Sequence, residues 1–146
     1  MELSSPMSFT PSKYTQEEFR QGIVKLEDMM RNDVPSTKGD NDLKDRFMDK
    51  QYLREIYNPA GQFIITKIHK VEHPFFLMAG EMSIMSEHGQ EHIIAPYYGI
   101  TPVGTKRIIY THTDCIFVTV HPTDKKNADE IESDVIALDY KELEDE

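Results

Sequence analysis

The sequence predicts a mainly β fold, an antiparallel sandwich or barrel with a helix near each end. Short runs rich in β-branched and aromatic residues recur about every ten residues through the middle of the chain, separated by Gly, Pro, Asn and Asp. Apolar residues at helical spacing occur on either side of that region. A chain of 146 residues is long enough for one domain with its own core. The single cysteine, Cys115, lies in an apolar run, which is typical of a buried thiol.

The N-terminal part of the chain predicts an arm followed by a helix. Residues 1–14 are rich in Ser, Pro and Met and show no periodicity, as expected of an arm. Thr15 and Glu18 match a capping box, and the helix that it opens should end near Asp33. One face of this helix is apolar and should pack on the body of the protein: Phe19, Ile23, Leu26, Met29 and Met30.

The remainder of the chain predicts mostly strands. Residues 35–42 have the composition of a loop, and residues 43–50 predict a short helix or turn. Seven runs then have strand composition: residues 52–57, 62–71, 75–79, 82–87, 91–95, 107–111 and 116–121. Residues 127–138 have apolar positions at helical spacing and predict a short terminal helix. The predicted organisation is an arm and helical segment at 1–50, a β-barrel at 51–123, and an acidic helix and tail at 124–146.

The charge of the chain excludes several classes of partner. The formal net charge is −10, and residues 124–146 hold ten acids against three lysines. A nucleic-acid surface needs clustered Lys and Arg, so we expect no nucleic-acid partner. No apolar stretch approaches the ~20 residues that span a bilayer, and the N-terminus lacks the pattern of a secretory signal. We therefore expect a protein that is neither membrane-bound nor secreted.

Several ordered motifs resemble known proteins. Gly80-Glu81 resembles the turn after the first motif of the cupin family, and Pro102-Val103-Gly104 resembles the opening of the second. Further pieces are similar to cupin-like proteins of tailed-phage genomes: residues 52–55, 59–61, 67–73, 104–107 and 119–121. The resemblance covers about half of the chain and implies a cupin-like antiparallel β-barrel of the jelly-roll type. It also implies a phage protein made in the host cytoplasm, with the virion as an alternative destination.

The metal-binding motif of the cupins is only partly present. The resemblance places Lys67, His69, His73 and Arg107 where cupins hold their usual ligands, so only two imidazoles remain. In an extended strand, His69 and His73 would lie about 13 Å apart, too far to share an ion. A bend near Pro74 would let them converge with His112 of a neighbouring strand, a set that suits Zn²⁺ or Fe²⁺. The alternative, which we favour, is that these histidines form hydrogen bonds in a polar interior and that no metal is bound.

Candidate ligand-binding residues are an arginine and a pair of tyrosines. An inward-pointing Arg107 needs a carboxylate partner, which Glu55 or Glu81 would supply, because an unpaired buried charge is costly. Alternatively, its guanidinium would bind an anionic small molecule. Tyr97 and Tyr98 would form an aromatic wall for a ligand or an interface, although packing is the favoured role for both.

Three functional hypotheses follow, and no residue is assigned a catalytic role. The first is a non-catalytic phage protein, virion-associated or acting in assembly, that forms a homo-oligomer and contacts other phage structural proteins. The second is a metal-dependent cupin enzyme acting on a small polar substrate. The third is a protein that binds a small anionic ligand such as a nucleotide. The incomplete metal motif favours a protein that is not an enzyme.

Overall fold

The computed structural model describes residues 13–33 and 41–144. In chain order their elements are α1 Gln16–Asp33, β1 Leu43–Met48, β2 Gln51–Asn58, β3 Phe63–Ile65, β4 Ile68–His69, β5 His73–Ala79, β6 Glu81–Ser86, β7 Gly89–Ile94, β8 Tyr97–Thr101, β9 Ile108–Thr111, β10 Cys115–Pro122, α2 Ala128–Val135, β11 Ile136–Ala137 and α3 Tyr140–Glu144. Most of the predicted arm and most of the predicted loop before β1 lie outside the described residues. Among the described helices, none is long and apolar enough to cross a membrane.

Two antiparallel sheets form a sandwich of the jelly-roll type. The larger sheet has the strand order β1-β2-β10-β5-β8, and the smaller has the order β3-β9-β6-β7. Strands β4 and β11 make a separate two-stranded ribbon. The predicted mainly β fold, with an N-terminal helix and a short C-terminal helix, is confirmed. Across the described residues the two sheets stay distinct and do not close into one continuous barrel.

The prediction of a helix or turn at residues 43–50 is wrong, because this segment is the edge strand β1. It pairs along its whole length with β2, from Leu43 opposite Ile56 to Met48 opposite Gln51. All six of its residues are exposed, and charged residues are typical of an edge strand that is protected against further pairing. Its polar composition concealed the strand pattern. Strand β8, which pairs with β5, was not predicted either.

The core lies between the two sheets. It is a single cluster of buried side chains from both: Phe75, Leu77, Met82, Ile84, Ile93, Tyr97, Ile109, Cys115 and Phe117. The thiol of Cys115 is fully buried, in the environment that its apolar run suggested. Burying this apolar surface is the main term that stabilises the sandwich.

Gly80 allows the tight turn between β5 and β6. Its φ angle of +93° lies in the region that favours glycine. A Cβ atom at this position would lie 2.3 Å from the carbonyl oxygen of Asp114. The turn residue noted in the cupin resemblance therefore has a steric reason to be glycine.

Helix α1 begins with the predicted capping box. The backbone N–H of Glu18 donates to Thr15 Oγ1 at 3.1 Å, and the backbone N–H of Thr15 donates to Glu18 Oε1 at 3.0 Å. Only part of the predicted apolar stripe is buried: Phe19 and Ile23 are in the interior, whereas Met29 is 52% exposed. The helix packs on the body through its first half.

The C-terminal segment crosses one end of the sandwich. The side chain of Asn127 caps α2 by accepting from the backbone N–H of Asp129 at 2.8 Å. Ile131 and Val135 of α2 pack against Tyr52 of β2 in a second apolar cluster. The following strand β11 pairs with β4. The predicted terminal helix is thus present as α2, which covers the end of the sandwich away from Cys115.

Candidate functional site

A cavity of about 480 Å³ lies between the sheets, under α2. The inward-facing residues of β2, β5 and β10 form one side, and α2 forms its cover. The polar part of the lining includes Tyr52, His69, His73, Arg107, Thr119 and His121. Apolar side chains of β2, β3, β9, β10 and α2, and further polar and charged residues, complete it. The cavity thus combines titratable groups with a largely apolar lining, as small-molecule sites do.

Three imidazoles lie in contact at the inner end of this cavity. The ring centroids of His69 and His73 are 4.7 Å apart, and those of His73 and His121 are 4.3 Å apart. His69 and His73 approach each other because the chain bends between β4 and β5 instead of running straight. His121 reaches them from β10, the neighbour of β5 in the larger sheet. The bend that the sequence analysis required is therefore present.

The hydrogen bonds of these rings fix where lone pairs are available. His73 Nδ1 lies 2.9 Å from the carbonyl oxygen of Val71, and His69 Nδ1 lies 3.2 Å from that of Thr105. A carbonyl only accepts, so each Nδ1 carries the proton and each Nε2 carries a lone pair. His73 Nε2 is buried and has no hydrogen-bond partner among the described residues.

His121 leaves a second ring nitrogen without a partner. Its Nε2 lies 3.0 Å from Thr119 Oγ1, a hydroxyl that can donate or accept. Its Nδ1 is buried and, within the described part of the chain, has no hydrogen-bond partner. The cavity therefore contains buried ring nitrogens whose hydrogen-bonding capacity the described residues do not use.

Burial holds all three imidazoles neutral near pH 7. It lowers the pKa of His69 to about 3, with the neighbouring His73 and Arg107 acting in the same direction. Burial, followed by the charge of Arg107, also lowers the pKa of His73. The pKa of His121 falls to about 4 through burial and then through His73 and Arg54. A charged imidazole would have to lose its hydration inside the cavity.

Arg107 places a fixed positive charge in the same cavity. It is 5% exposed, and its guanidinium carbon lies 4.7 Å from the centroid of the Phe75 ring. Burial lowers its pKa to about 10, and the charges of Tyr97 and Glu91 oppose that shift. The guanidinium therefore stays protonated at neutral pH. Its backbone N–H donates to Thr66 Oγ1 at 2.9 Å, which fixes the start of β9.

The carboxylates that we expected beside Arg107 lie elsewhere. Glu55 is on the outer face of the larger sheet, within 3.7 Å of Lys44 and 3.9 Å of Arg46. Glu81 Oε2 lies 3.4 Å from His92 Nε2. Glu55 is therefore not the carboxylate partner of Arg107 and does not line the cavity, because alternate side chains of β2 point to opposite faces.

Tyr97 and Tyr98 do not form a common wall. They are consecutive residues of β8, so their side chains point to opposite faces of the sheet. Tyr97 is 2% exposed and donates from its hydroxyl to Glu91 Oε1 at 2.8 Å. Tyr98 is 42% exposed on the outer face, where its ring packs beside Phe76. Neither tyrosine belongs to the lining of the cavity.

His112 is not brought to His69 and His73. It lies on the outside of the smaller sheet, where its ring stacks on His92 at 4.8 Å and its Nε2 is 2.7 Å from Ser83 Oγ. The third imidazole of the cavity is instead His121, which was not among the predicted site residues. The alternation of side chains along β10 could have indicated this position, because Phe117, Thr119 and His121 share the inner face of that strand.

Comparison with solved structures identifies the fold. A cupin superfamily protein from Desulfitobacterium hafniense matches with a TM-score of 0.50 and 9% identity, covering 62% of this chain and 84% of that one. The Cnp3 cupin domain of Schizosaccharomyces pombe also scores 0.50, at 14% identity, over 58% of this chain and 62% of that one. A putative ethanolamine utilization protein Q from Salmonella typhimurium scores 0.50 at 15% identity, over 58% and 71%.

The fold is that of the cupins. No family model matches the sequence, and no curated protein matches it either. The likeness to solved cupins is therefore one of fold, and the chemistry must be argued from the cavity. In this fold, the cavity occupies the space between the two sheets, and Lys67, His69, His73 and Arg107 are among its lining residues.

The residues of this cavity do not fit a bound metal ion. No group of three His, Cys, Asp or Glu side chains in residues 13–33 and 41–144 is placed to hold one. The positive charge of Arg107, which lines the same small cavity, opposes a bound cation. The three contacting imidazoles of His69, His73 and His121 do not form such a group within the described residues.

The mouth of the cavity is lined by paired charges. Lys67 forms an ion pair with Glu132 of α2, and the hydroxyl of Tyr52 donates to Asp45 of β1. Arg54 is the remaining charged group at this end of the lining. Together with Arg107, the lining contains three cationic side chains and two carboxylates, so the lining residues carry one excess positive charge while the imidazoles are neutral. Outside the lining, the Glu91 carboxylate also acts on Arg107.

Proposed function

We propose that this cupin-fold protein binds a small anionic molecule in the cavity and does not transform it. The observation that carries the proposal is the buried guanidinium of Arg107, which lines a cavity of about 480 Å³. A guanidinium in a desolvated site binds a carboxylate through two parallel hydrogen bonds. A buried cation with an adjoining cavity suits that role better than a purely structural one.

The charge of the lining favours a monoanion over a nucleotide. Lys67 and Glu132 compensate each other at the mouth, and the Asp45 carboxylate is held by Tyr52. The single excess positive charge matches one carboxylate. A nucleotide would bring more negative charge, and each uncompensated charge in a desolvated space is costly.

The size and lining of the cavity also support a small organic acid. Cavities that hold small molecules typically measure about 300–1,000 Å³ and are lined mainly by apolar side chains. The present cavity lies within that range. Its apolar lining residues would contact the body of the ligand while Arg107 holds the charged end.

Binding of simple carboxylates tests this proposal. Isothermal titration of metal-free protein with hexanoate and with benzoate should give saturable binding. Replacement of the buried guanidinium by Arg107→Met should weaken binding at least about tenfold, since a charged hydrogen bond is lost. Arg46→Met is the matched control, because Arg46 lies on the outer face of β1 and is 52% exposed. Failure of both acids to bind would contradict the proposal.

A role in a phage particle remains a proposal with its own test. It rests on the similarity to phage cupin-like proteins and is compatible with a cavity that binds a ligand without turnover. Mass spectrometry of purified particles should detect the protein if it is virion-associated. Its absence from the particles would remove the virion-associated role while leaving ligand binding unaffected.

A further inference from the structure

We infer that the ligand of the cavity is a small hydroxycarboxylate, whose carboxylate binds Arg107 and whose hydroxyl donates to Nε2 of His73. This inference rests on the proposed anion binding and narrows it to one chemical class. It follows from the hydrogen-bonding capacity that the cavity leaves unused.

The first step concerns the acceptor at His73. Its Nδ1 proton is committed to the carbonyl oxygen of Val71, so its Nε2 offers only a lone pair. That atom is buried without a partner among the described residues, and the whole residue is 2% exposed. Buried polar atoms are nearly always hydrogen-bonded, so a partner from beyond the described residues is expected here, and we assign it to the bound ligand. The partner must donate a proton.

The second step concerns the neighbours of that atom. His69, whose ring is 4.7 Å from that of His73, also commits its Nδ1 proton to a carbonyl and presents a lone pair at Nε2. Arg107, which has donors and no acceptor, lines the same cavity close enough for its charge to act on both imidazoles. A donor of fixed positive charge thus lies beside imidazole acceptors. The complementary ligand has an anionic acceptor and a neutral donor near each other.

The charge of Arg107 decides what kind of donor the ligand uses. An ammonium group would donate to an imidazole equally well, but it would bring a second positive charge close to the buried guanidinium. A hydroxyl group donates without that repulsion. An amino acid is therefore a poorer match to this cavity than the corresponding hydroxy acid.

The apolar lining of the cavity indicates what the remainder of the ligand should be. Side chains from both sheets and from α2 contribute hydrocarbon surface: Ile56, Ile64, Ile109, Phe117, Ile131 and Val135. A short alkyl chain or a single aromatic ring would contact this surface and remain within about 480 Å³. A highly polar acid with several charges would leave that surface without apolar contacts.

Three matched pairs of acids test the inference on the unmodified full chain after removal of metal. They are hexanoate and 2-hydroxyhexanoate, benzoate and salicylate, and phenylacetate and mandelate. We expect the hydroxylated member of at least one pair to bind about tenfold more tightly, the gain expected from satisfying one buried acceptor. Inorganic phosphate is included as a second anion.

The outcomes separate this inference from the proposed function. If none of the six acids binds in the millimolar range, the proposed binding of an anion is refuted. If the acids bind but no hydroxylated member is preferred, the inference of a hydroxycarboxylate is refuted and the proposed function is supported. Tighter binding of phosphate than of all six acids would overturn the assignment of a carboxylate.

A variant of His73 tests whether this ring accepts the hydrogen bond from the hydroxyl of the ligand. His73→Phe keeps a ring of similar shape and removes Nε2, so the preference for the hydroxylated acid should fall at least about threefold. His112→Phe is the matched control and should keep the preference, since His112 lies outside the smaller sheet. An unchanged preference in His73→Phe would overturn the role of that ring. If His73→Phe does not fold, the pair comparison on the unmodified chain still decides.

Discussion

At the residue scale, Lys106 and Arg107 are adjacent buried cations with different surroundings. Both are buried, with 6% and 5% of their surfaces exposed. Lys106 Nζ donates to both carboxylate oxygens of Glu27 in α1, at 2.9 and 3.0 Å. The guanidinium of Arg107 instead lines the cavity beside Phe75. Lys106 therefore holds α1 to the body, whereas Arg107 lines the cavity while Phe75 and the charge of Glu91 act on it from outside the lining.

Substitution of the two cations should separate stability from binding. Lys106→Met leaves Glu27 without its buried partner and should lower the free energy of unfolding by about 1–3 kcal/mol. Arg107→Met replaces a buried charge by an apolar side chain, so the free energy of unfolding should stay constant or rise by about 1 kcal/mol. Urea unfolding measures both. A loss above about 1 kcal/mol in Arg107→Met would show that the guanidinium is structural.

The three cavity imidazoles predict a loss of stability in weak acid. In the folded protein their pKa values are lowered, to about 3 for His69 and about 4 for His121. In the unfolded chain each ring titrates near 6.5. As the pH falls below 6.5, the unfolded state takes up protons that the folded state does not, and the folded state is destabilised. Between pH 7.5 and 5.5 a ring whose folded pKa lies well below 5.5 contributes about 1.4 kcal/mol in total. His69 and His121 together should therefore lower the free energy of unfolding by about 3 kcal/mol over this interval, and His73, whose pKa is also lowered, should add to that fall.

Urea unfolding at these two pH values measures the loss. His121→Gln removes one of the three rings and should reduce the fall by about one third. His112→Gln is the control, because His112 lies outside the cavity, and the fall should match that of the parent protein. An identical fall in both variants would mean that the buried rings are not its source.

At the element scale, α2 serves as the cover of the cavity and depends on its cap. Asn127→Ala removes the side chain that accepts from the N–H groups of Asp129 and Glu130, which should cost about 1 kcal/mol of local stability. Because α2 lines the cavity, amide hydrogen exchange in α2 and β11 should become faster and carboxylate binding should weaken several-fold.

The opposite end of the chain offers a matched control for this cap. Thr15→Ala removes the equivalent cap of α1, a helix that does not line the cavity. Exchange should become faster in α1, and carboxylate affinity should not change. Equal weakening of binding by the two variants would show that α2 has no specific connection with the site.

The elements that could be predicted are those whose signal is local. The capping box at Thr15, the alternating strands and the terminal helix each follow from residues close together in the chain. Strand β1 could not be predicted from local signals, because a segment with so many charged residues is extended here only through its pairing with β2. In the site, His69 and His73 converge through a local bend, whereas the choice between His112 and His121 depends on which strands are neighbours. The spacing of residues along a strand predicts which side chains share one face, but it does not predict which other strand lies beside it.

At the scale of the whole molecule, the outer face of the larger sheet is unusually apolar. A solvated sheet face normally carries polar side chains. Here the outward residues of β5, β8 and β10 are all apolar: Pro74, Phe76, Met78, Tyr98, Ile100, Ile116, Val118, Val120 and Pro122. Several of them are prominently exposed, including Met78 at 61% and Ile100 at 47%. Such a surface is typical of a protein interface.

The charges on this face make a second copy of the chain its expected partner. Its charged residues are Lys44, Arg46 and Glu55, which leave a net charge of +1 on a chain whose total is −10. Two copies can therefore meet here without bringing their acidic surfaces together. Two twisted sheets also pack well face to face, with their strand directions within about 30° of each other. The predicted homo-oligomer would thus form through sheet-on-sheet packing.

Sedimentation equilibrium over a range of concentrations tests this prediction. The parent protein should self-associate, and the pair of substitutions Met78→Asp and Ile100→Asp should give a monomer, because buried carboxylates would face each other across the interface. Ile94→Asp is the matched control: Ile94 is 57% exposed but belongs to the smaller sheet, so this variant should associate as the parent does. Since the cavity opens between the sheets and not on this face, the monomer should bind carboxylates with the affinity of the parent. A parent protein that is monomeric at every concentration, or an Ile94→Asp variant that dissociates equally, would refute an interface at this sheet.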